Sequence, residues 1–223
     1  MESFKIAILI PAYNEANTLG EVIKKTSIYG DVIVVDDGSE DNTYDIAKNN
    51  NVTVLQNVKN LGYDSALNVG INYIIKNNYE YLITFDADNQ HQSFQLESFI
   101  KLITTNKYGA VIGIRSKVNR VSEFFFNYFF NYLYNINDVL CGFKAYNISI
   151  LKKINDLNFK KSLGTRLALL IAFNKINIKE INITVNERKD SSRIGGKIKS
   201  NLIIIKTLII NIKEIVFWKI YAK

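Results

Sequence analysis

Residues 81–92 read YLITFDADNQHQ. An apolar run, Tyr81–Phe85, gives way at once to two aspartates, Asp86 and Asp88, then to Gln90 and the chain's single histidine, His91. The run has the length and apolar character of a buried strand. Carboxylates crowded at the tip of such a strand raise one another's pKa unless a cation lies among them.

The same arrangement recurs upstream. Phe4–Ile10 (FKIAILI) runs into Pro11-Ala12-Tyr13-Asn14-Glu15, and Val32–Val35 runs into Asp36-Asp37-Gly38-Ser39, with Asp41 and Thr43 close behind. Val52–Leu55 and Ala110–Ile114 read as further strands. Between them, helical spacing predicts helices over Glu15–Tyr29, Asp41–Asn49, Leu61–Lys76 and Phe94–Thr104. In the third of these, Gly62, Ala66 and Gly70 stand four apart and form a small face for close approach to a sheet. Strands alternating with helices predict an α/β fold: a single Rossmann-like domain with a mostly parallel central sheet and helices on both faces. Ligands of such sheets bind beyond the carboxyl ends of the strands. There the chain gathers at least five carboxylates (Glu15, Asp36, Asp37, Asp86 and Asp88) although its formal net charge is +7. A hard divalent ion such as Mg²⁺, held by one or two carboxylates and by substrate phosphates, relieves that crowding.

The second half differs in character. Ser122–Asn135 (SEFFFNYFFNYLYN) is a helix crowded with aromatics, with Asn127, Asn131 and Asn135 forming one polar ridge. Leu163–Phe173 is another helix and Ile178–Val185 a strand. Asn186–Lys199 is a basic, glycine-containing loop, and Asn201–Tyr221 is a last, very apolar helix. Hydrophobic residues make up 48% of the 223, enough for a sizeable core. A single cysteine, Cys141, excludes a disulfide within the chain and fits a reducing compartment. Phe4–Ile10, interrupted by Lys5, is too short for a secretory core. The positive charge suits an anionic partner, but acidic strand tips would repel a nucleic acid. No G-x-G-x-x-G stretch is present, which argues against a dinucleotide-dependent dehydrogenase.

Taken together, IPAYNE (Ile10–Glu15), VVDDGSEDNT (Val34–Thr43), NLGYDSALNVG (Asn60–Gly70) and DADNQH (Asp86–His91) resemble the successive motifs of glycosyltransferase family 2. DVLCGFKAY (Asp138–Tyr146) and SRIGGKIK (Ser192–Lys199) extend the likeness to its polyprenyl-phosphate (dolichyl-phosphate) mannose or glucose synthases, so that it runs from about Phe4 to Lys199. The resemblance implies a GT-A fold over residues 1–199, followed by a C-terminal amphipathic helix over 200–223. It implies an inverting enzyme that uses a nucleotide-sugar such as GDP-mannose or UDP-glucose. Pro11, Tyr13, Glu15, Val35 and Asp37 would hold the nucleoside. Asp86, with Ala87 beside it, would face the donor's ribose or sugar. Asp88 and Gln90 would bind Mg²⁺ or Mn²⁺, and Arg115, Arg193 and Lys199 would meet phosphates. The chain departs from the pattern at Cys141, where serine is commoner, and at Ile198, where serine is usual. Arg166 is the only charge in Gly164–Leu170, where the subgroup often carries an acid.

The acceptor sets the remaining requirement. A sugar hydroxyl must lose a proton to a base, for which Asp138 is the candidate. A phosphate monoester, with a second pKa of ~6, is already a nucleophile at neutral pH and needs cations to position it. The loop residues Arg188, Lys189, Arg193, Lys197 and Lys199 are those cations. His91 is expected to make local hydrogen bonds rather than do chemistry, and Cys141 has no setting that would make it a nucleophile. A non-catalytic nucleotide-sugar-binding subunit is the remaining alternative.

No stretch has the ~20 uninterrupted apolar residues of a spanning helix. On a helical wheel Asn201–Tyr221 places Lys206, Thr207, Lys213 and Glu214 on one side and apolar residues over most of the rest. This predicts a helix lying in the interface, with Trp218 and Tyr221 at headgroup depth. Core packing, a homo-oligomer or a membrane-protein partner would also use such a face. A lipid-linked acceptor would place the protein peripherally on the cytoplasmic face of a membrane.

Overall fold

The computed structural model describes residues 4–116, 120–154, 163–186 and 197–221, without the side chains of 197–200 and 221. The strands are β1 (Ile6–Ala12), β2 (Asp31–Asp36), β3 (Thr53–Gln56), β4 (Tyr81–Thr84), β5 (Ala110–Arg115), β6 (Lys144–Asn147) and β7 (Ile178–Ile183). The helices are α1 (Leu19–Thr26), α2 (Thr43–Asn49), α3 (Tyr63–Lys76), α4 (Leu96–Ile103), α5 (Val121–Tyr134), α6 (Ile148–Lys153), α7 (Leu163–Phe173) and α8 (Lys197–Tyr221). Among the described residues the seven strands form one sheet in the order β3-β2-β1-β4-β6-β5-β7. Only β6 runs against its neighbours. The predicted α/β class, with a mostly parallel sheet, is therefore what the chain forms. Neither β6 nor α6 was legible as an element, because each is short and follows a motif read for its chemistry.

β1 shows why helices cover both faces. Its residues are wholly buried, and alternate side chains enter opposite cores. Ala7 and Leu9 join a core with α3, α5, α7 and α8, while Ile6, Ile8 and Ile10 join one with α1, α2 and α4. α1 buries Leu19, Val22, Ile23 and Thr26, the apolar face its spacing predicts. The small face of α3 is only partly a packing device. A Cβ at Gly70 would press on Leu9, but one at Gly62 would meet nothing within 4 Å. Gly62 has φ 94° and is needed for the turn into α3.

The C-terminal half corrects two expectations. Trp218, expected at headgroup depth, is buried, 5.5 Å from the Phe173 ring and beneath the Arg166 guanidinium. Lys206, Thr207, Lys213 and Glu214 do not share a water-facing side. Glu214 turns to α7 and pairs with Arg166 at 3.0 Å, whereas Lys206 and Lys213 are exposed. Arg166 thus holds α8 in place. Residues 197–199, expected in the basic loop, already belong to α8.

Candidate active site

β2, β1 and β4 lie side by side and parallel, so their carboxyl ends form one edge. β1 pairs with a strand on either side whose crossovers run in opposite directions, which opens a crevice at that edge. The loops after β1 and β2 are joined there. Asn14 N donates to Ser39 Oγ (2.9 Å), Glu40 N donates to Asn14 Oδ1 (2.9 Å), and Glu15 N donates to Thr43 Oγ1 (2.8 Å). Asn14 and Asn89 take left-handed backbone (φ 53° and 58°), which asparagine tolerates well, and so turn the chain at two neighbouring tips.

The predicted nucleoside residues fall into two groups. Pro11, Glu15, Val35 and Asp37 are buried, and Tyr13 is half-buried. The Val35 side chain lies in the core, so its backbone is what reaches the edge. Asp37 Oδ1 accepts from Asn57 Nδ2 (2.7 Å) and Leu61 N (3.1 Å), and Oδ2 accepts from Gly62 N (2.7 Å). A carboxylate has about four acceptor sites, so this one fastens the turn into α3 with one direction to spare.

Asp86 is partly enclosed, and His91 Nε2 lies 3.0 Å from its Oδ2. The His91 ring is itself buried against Phe85 and Phe143. Burial pushes the Asp86 carboxyl up. The His91 hydrogen bond and the charges of His91, Lys144 and Arg115 outweigh that and hold it below the ordinary carboxylate range. Gly142 lies directly against this carboxylate; a Cβ there would stand 2.5 Å from Oδ1. The His91 contact is the local hydrogen bonding expected of it.

Ala87 is buried, while Asp88 and Gln90 are partly exposed on the loop. Gln90 Nε2 donates to Asn186 O (3.2 Å), and Asn186 N donates to Gln90 O (2.8 Å). With its amide nitrogen so engaged, Gln90 directs its oxygen elsewhere. No group of three or more His, Cys, Asp or Glu side chains is assembled among the described residues. Asp88 and Gln90 instead present two hard oxygen donors, a set that fits Mg²⁺ or Mn²⁺ completed by substrate phosphates.

Arg115, expected to meet phosphates, and Asp138, the candidate base, are paired with each other. Arg115 Nε donates to Asp138 Oδ2 (2.7 Å) and Nη2 to Asp138 Oδ1 (2.9 Å), a two-pronged ion pair. Nη2 also reaches Glu123 Oε2 (3.3 Å), which is buried and joined to Arg120. Burial lowers the Arg115 pKa, but the Asp138 bond and charge more than reverse this, so the guanidinium stays charged. Cys141 is buried and its thiol is pushed up to about 12, first by burial and then by the Asp138 charge. Arg188, Lys189 and Arg193 lie outside the described residues, as do the side chains of Lys197 and Lys199.

The sequence reading overlooked Lys144. Its Nζ is buried on β6 and donates to Gly164 O (2.7 Å). Burial lowers its pKa, against the opposing pull of Cys141, Asp138 and Asp86. A lone cation in the otherwise apolar run Phe143–Tyr146 was the available signal.

The mostly parallel sheet, with the Asp86-x-Asp88-x-Gln90 loop at its switch-point edge, is the fold of the GT-A glycosyltransferases, as comparison with known proteins bears out. The chain belongs to glycosyl transferase family 2, whose model matches residues 7–158. An uncharacterized protein of Methanocaldococcus jannaschii is 31% identical over 80% of each chain. UDP-N-acetylglucosamine–dolichyl-phosphate N-acetylglucosaminyltransferase of Methanococcus voltae is 29% identical, covering 90% of this chain and 96% of its own. Undecaprenyl-phosphate mannosyltransferase of Micrococcus luteus is 28% identical, covering 90% and 91%. Among solved structures, glucosyl-3-phosphoglycerate synthase of Mycobacterium tuberculosis, in complex with Mn²⁺, UDP-glucose and phosphoglyceric acid, superposes with a TM-score of 0.72. It is 20% identical, over 92% of this chain and 79% of that one.

Proposed function

We propose that the chain is an inverting hexosyltransferase. It moves a sugar from a nucleotide-sugar, GDP-mannose or UDP-glucose in type, to a polyprenyl phosphate, as a peripheral protein on the cytoplasmic face of a membrane. The observation that carries this reading is the state of Asp138. A hydroxyl acceptor needs a base, and both oxygens of the candidate base are held by Arg115. Asp86 is kept ionised and poorly basic, and Cys141 stays protonated. An acceptor phosphate needs no base at neutral pH. The relatives named for dolichyl-phosphate and undecaprenyl-phosphate acceptors support the same choice.

In this mechanism Pro11, Tyr13, Glu15, Val35 and Asp37 border the nucleoside. Asp86, oriented by His91 and closely backed by Gly142, faces the ribose or sugar of the donor. Asp88 and the Gln90 oxygen would hold Mg²⁺ or Mn²⁺, which when bound supplies positive charge against the departing diphosphate. An acceptor phosphate oxygen attacks the anomeric carbon as its bond to the nucleoside diphosphate breaks, so the configuration inverts. Arg193 and Lys199, with Arg188, Lys189 and Lys197, hold the acceptor phosphate. Lys144 adds a buried positive charge behind Asp86, and Arg115 acts through Asp138.

Transfer of labelled sugar from the donor tests this. Product is expected with a polyprenyl phosphate; product with a soluble hydroxyl acceptor and none with a lipid phosphate would overturn the acceptor assignment.

A further inference from the structure

α5 and α8 are built inside out. In an ordinary surface helix the apolar stripe faces the core and the polar side faces water. On α5 the inward side carries Phe126 and Phe130, but also Glu123 and Asn127. Asn127 Nδ2 donates to Asp138 Oδ1 (3.4 Å) and Asn131 Nδ2 to Asn137 Oδ1 (3.0 Å), so these two asparagines of the ridge turn toward the protein, while Asn135 at its end is exposed. The outward side carries Phe124, Phe125, Tyr128 and Tyr132, the last 83% exposed. α8 repeats the pattern. Asn211 bonds Thr165 and Glu214 bonds Arg166 on the inside, while Leu202, Ile209, Val216, Phe217 and Ile220 are each about half exposed or more. The two helices lie against each other, and Ser122 Oγ bonds Asn201 Oδ1 where they meet.

We propose that the outer sides of α5 and α8 together dock on an anionic phospholipid bilayer. This rests on the lipid-linked acceptor proposed above and names the surface that meets the lipid. The charges select this occupant. Lys206, Lys213 and Lys219 are exposed on α8 among its apolar residues, while the acids of the two helices, Glu123 and Glu214, are turned inward and paired. A second copy placed on this face would bury lysines with no acid to meet them. At a bilayer the same lysines extend their ammonium groups to anionic headgroups while the aromatic and aliphatic side chains enter the boundary region. α8 lies along the surface, since no helix among the described residues is long and apolar enough to cross it. Position agrees with chemistry. The first turn of α5 supplies Glu123 to Arg115 beside Asp138, and in that same turn Ser122 bonds Asn201 near the start of α8. Both helices therefore leave from the catalytic edge, where a phosphate in the headgroup plane would arrive.

The test is co-sedimentation of the full chain with vesicles that contain neither polyprenyl phosphate nor donor. The protein is expected to pellet with phosphatidylglycerol-containing vesicles at least tenfold more strongly than with pure phosphatidylcholine. Each Lys→Gln replacement at 206, 213 or 219 should weaken this roughly fivefold. The exposed-site double variant Tyr128→Ser/Ile209→Ser should lose binding while its melting temperature, and its transfer to a water-soluble short-chain prenyl phosphate, stay unchanged. Absence of vesicle binding by the unaltered protein overturns the proposal. So does a dimer in sedimentation velocity that the double variant abolishes. Vesicle binding without any transfer to a lipid phosphate would leave the docking surface standing and overturn the acceptor assignment instead.

Discussion

Gly142 and the Asp86 carboxylate are in direct contact: a Cβ at position 142 would lie 2.5 Å from Oδ1 and 2.7 Å from Cγ. Two motifs separated by more than fifty residues are thereby one object. β6 pairs with β4 in antiparallel register, Thr84 opposite Lys144, and this brings Gly142 beneath the carboxylate that the donor would meet. Thr84 Oγ1 donates to Gly142 O (2.6 Å) and fixes the distance.

Gly142→Ala should therefore displace Asp86 rather than unfold the sheet. Overpacking at one methyl costs about 1–3 kcal/mol, and a carboxylate moved by ~1 Å lowers turnover by roughly 100-fold. Transfer kinetics beside a thermal melt would show it. Near-normal turnover in the folded variant would separate Asp86 from the reaction.

Asp138 offers a sharper division. As a base, its replacement by Asn would lower turnover by about 100- to 10,000-fold. As the partner of Arg115, Asp138→Asn keeps a hydrogen bond and should lower kcat by less than ~10-fold, with no change in the pH profile. Asp138→Ala, which removes the two-pronged partner and leaves the partly buried guanidinium with Glu123 alone, should lose about 1–3 kcal/mol in urea unfolding.

Cys141 should be silent to thiol reagents in the native protein at pH 8.5 and react fully once unfolded, because the thiolate is the reactive form. The sign of the linkage follows from the raised pKa. The folded thiol holds its proton between its ordinary 9.0 and about 12, so its contribution to stability is complete below 9.0 and fades as pH rises through that window. Denaturant midpoints of Cys141→Ala and the unaltered protein should converge as the pH rises above 9.

Metal and donor should stabilise the protein only together. With the donor at ~100 times its dissociation constant, binding adds about 2.7 kcal/mol, which for a chain of this size is about 5–10 °C in Tm. The shift should appear with Mn²⁺ or Mg²⁺ and vanish with a chelator. In Gln90→Ala it should require more metal. An equal shift in the presence of the chelator would remove the cation from the donor site.

The order of strands and helices through Ala110–Arg115 and the close approach of Gly70 to the sheet were legible in the sequence, since each depends on local spacing and residue type, whereas Gly62 serves the turn into α3 instead. The position of Asp86, Asp88 and Gln90, where the buried run Tyr81–Phe85 ends, was legible in the same way. The pairing of Arg115 with Asp138, the seat of Gly142, the buried charge of Lys144 and the inward turn of Trp218 were not. Each is a contact between residues distant in the chain, and a side chain's type constrains what it can bind without saying which partner the fold will bring. The helical wheel of α8 ran into the same limit. It set polar residues on one side and apolar on the other, yet the seam offered by Thr165 and Arg166 on α7 drew Asn211 and Glu214 inward and left lysines and isoleucines facing out together.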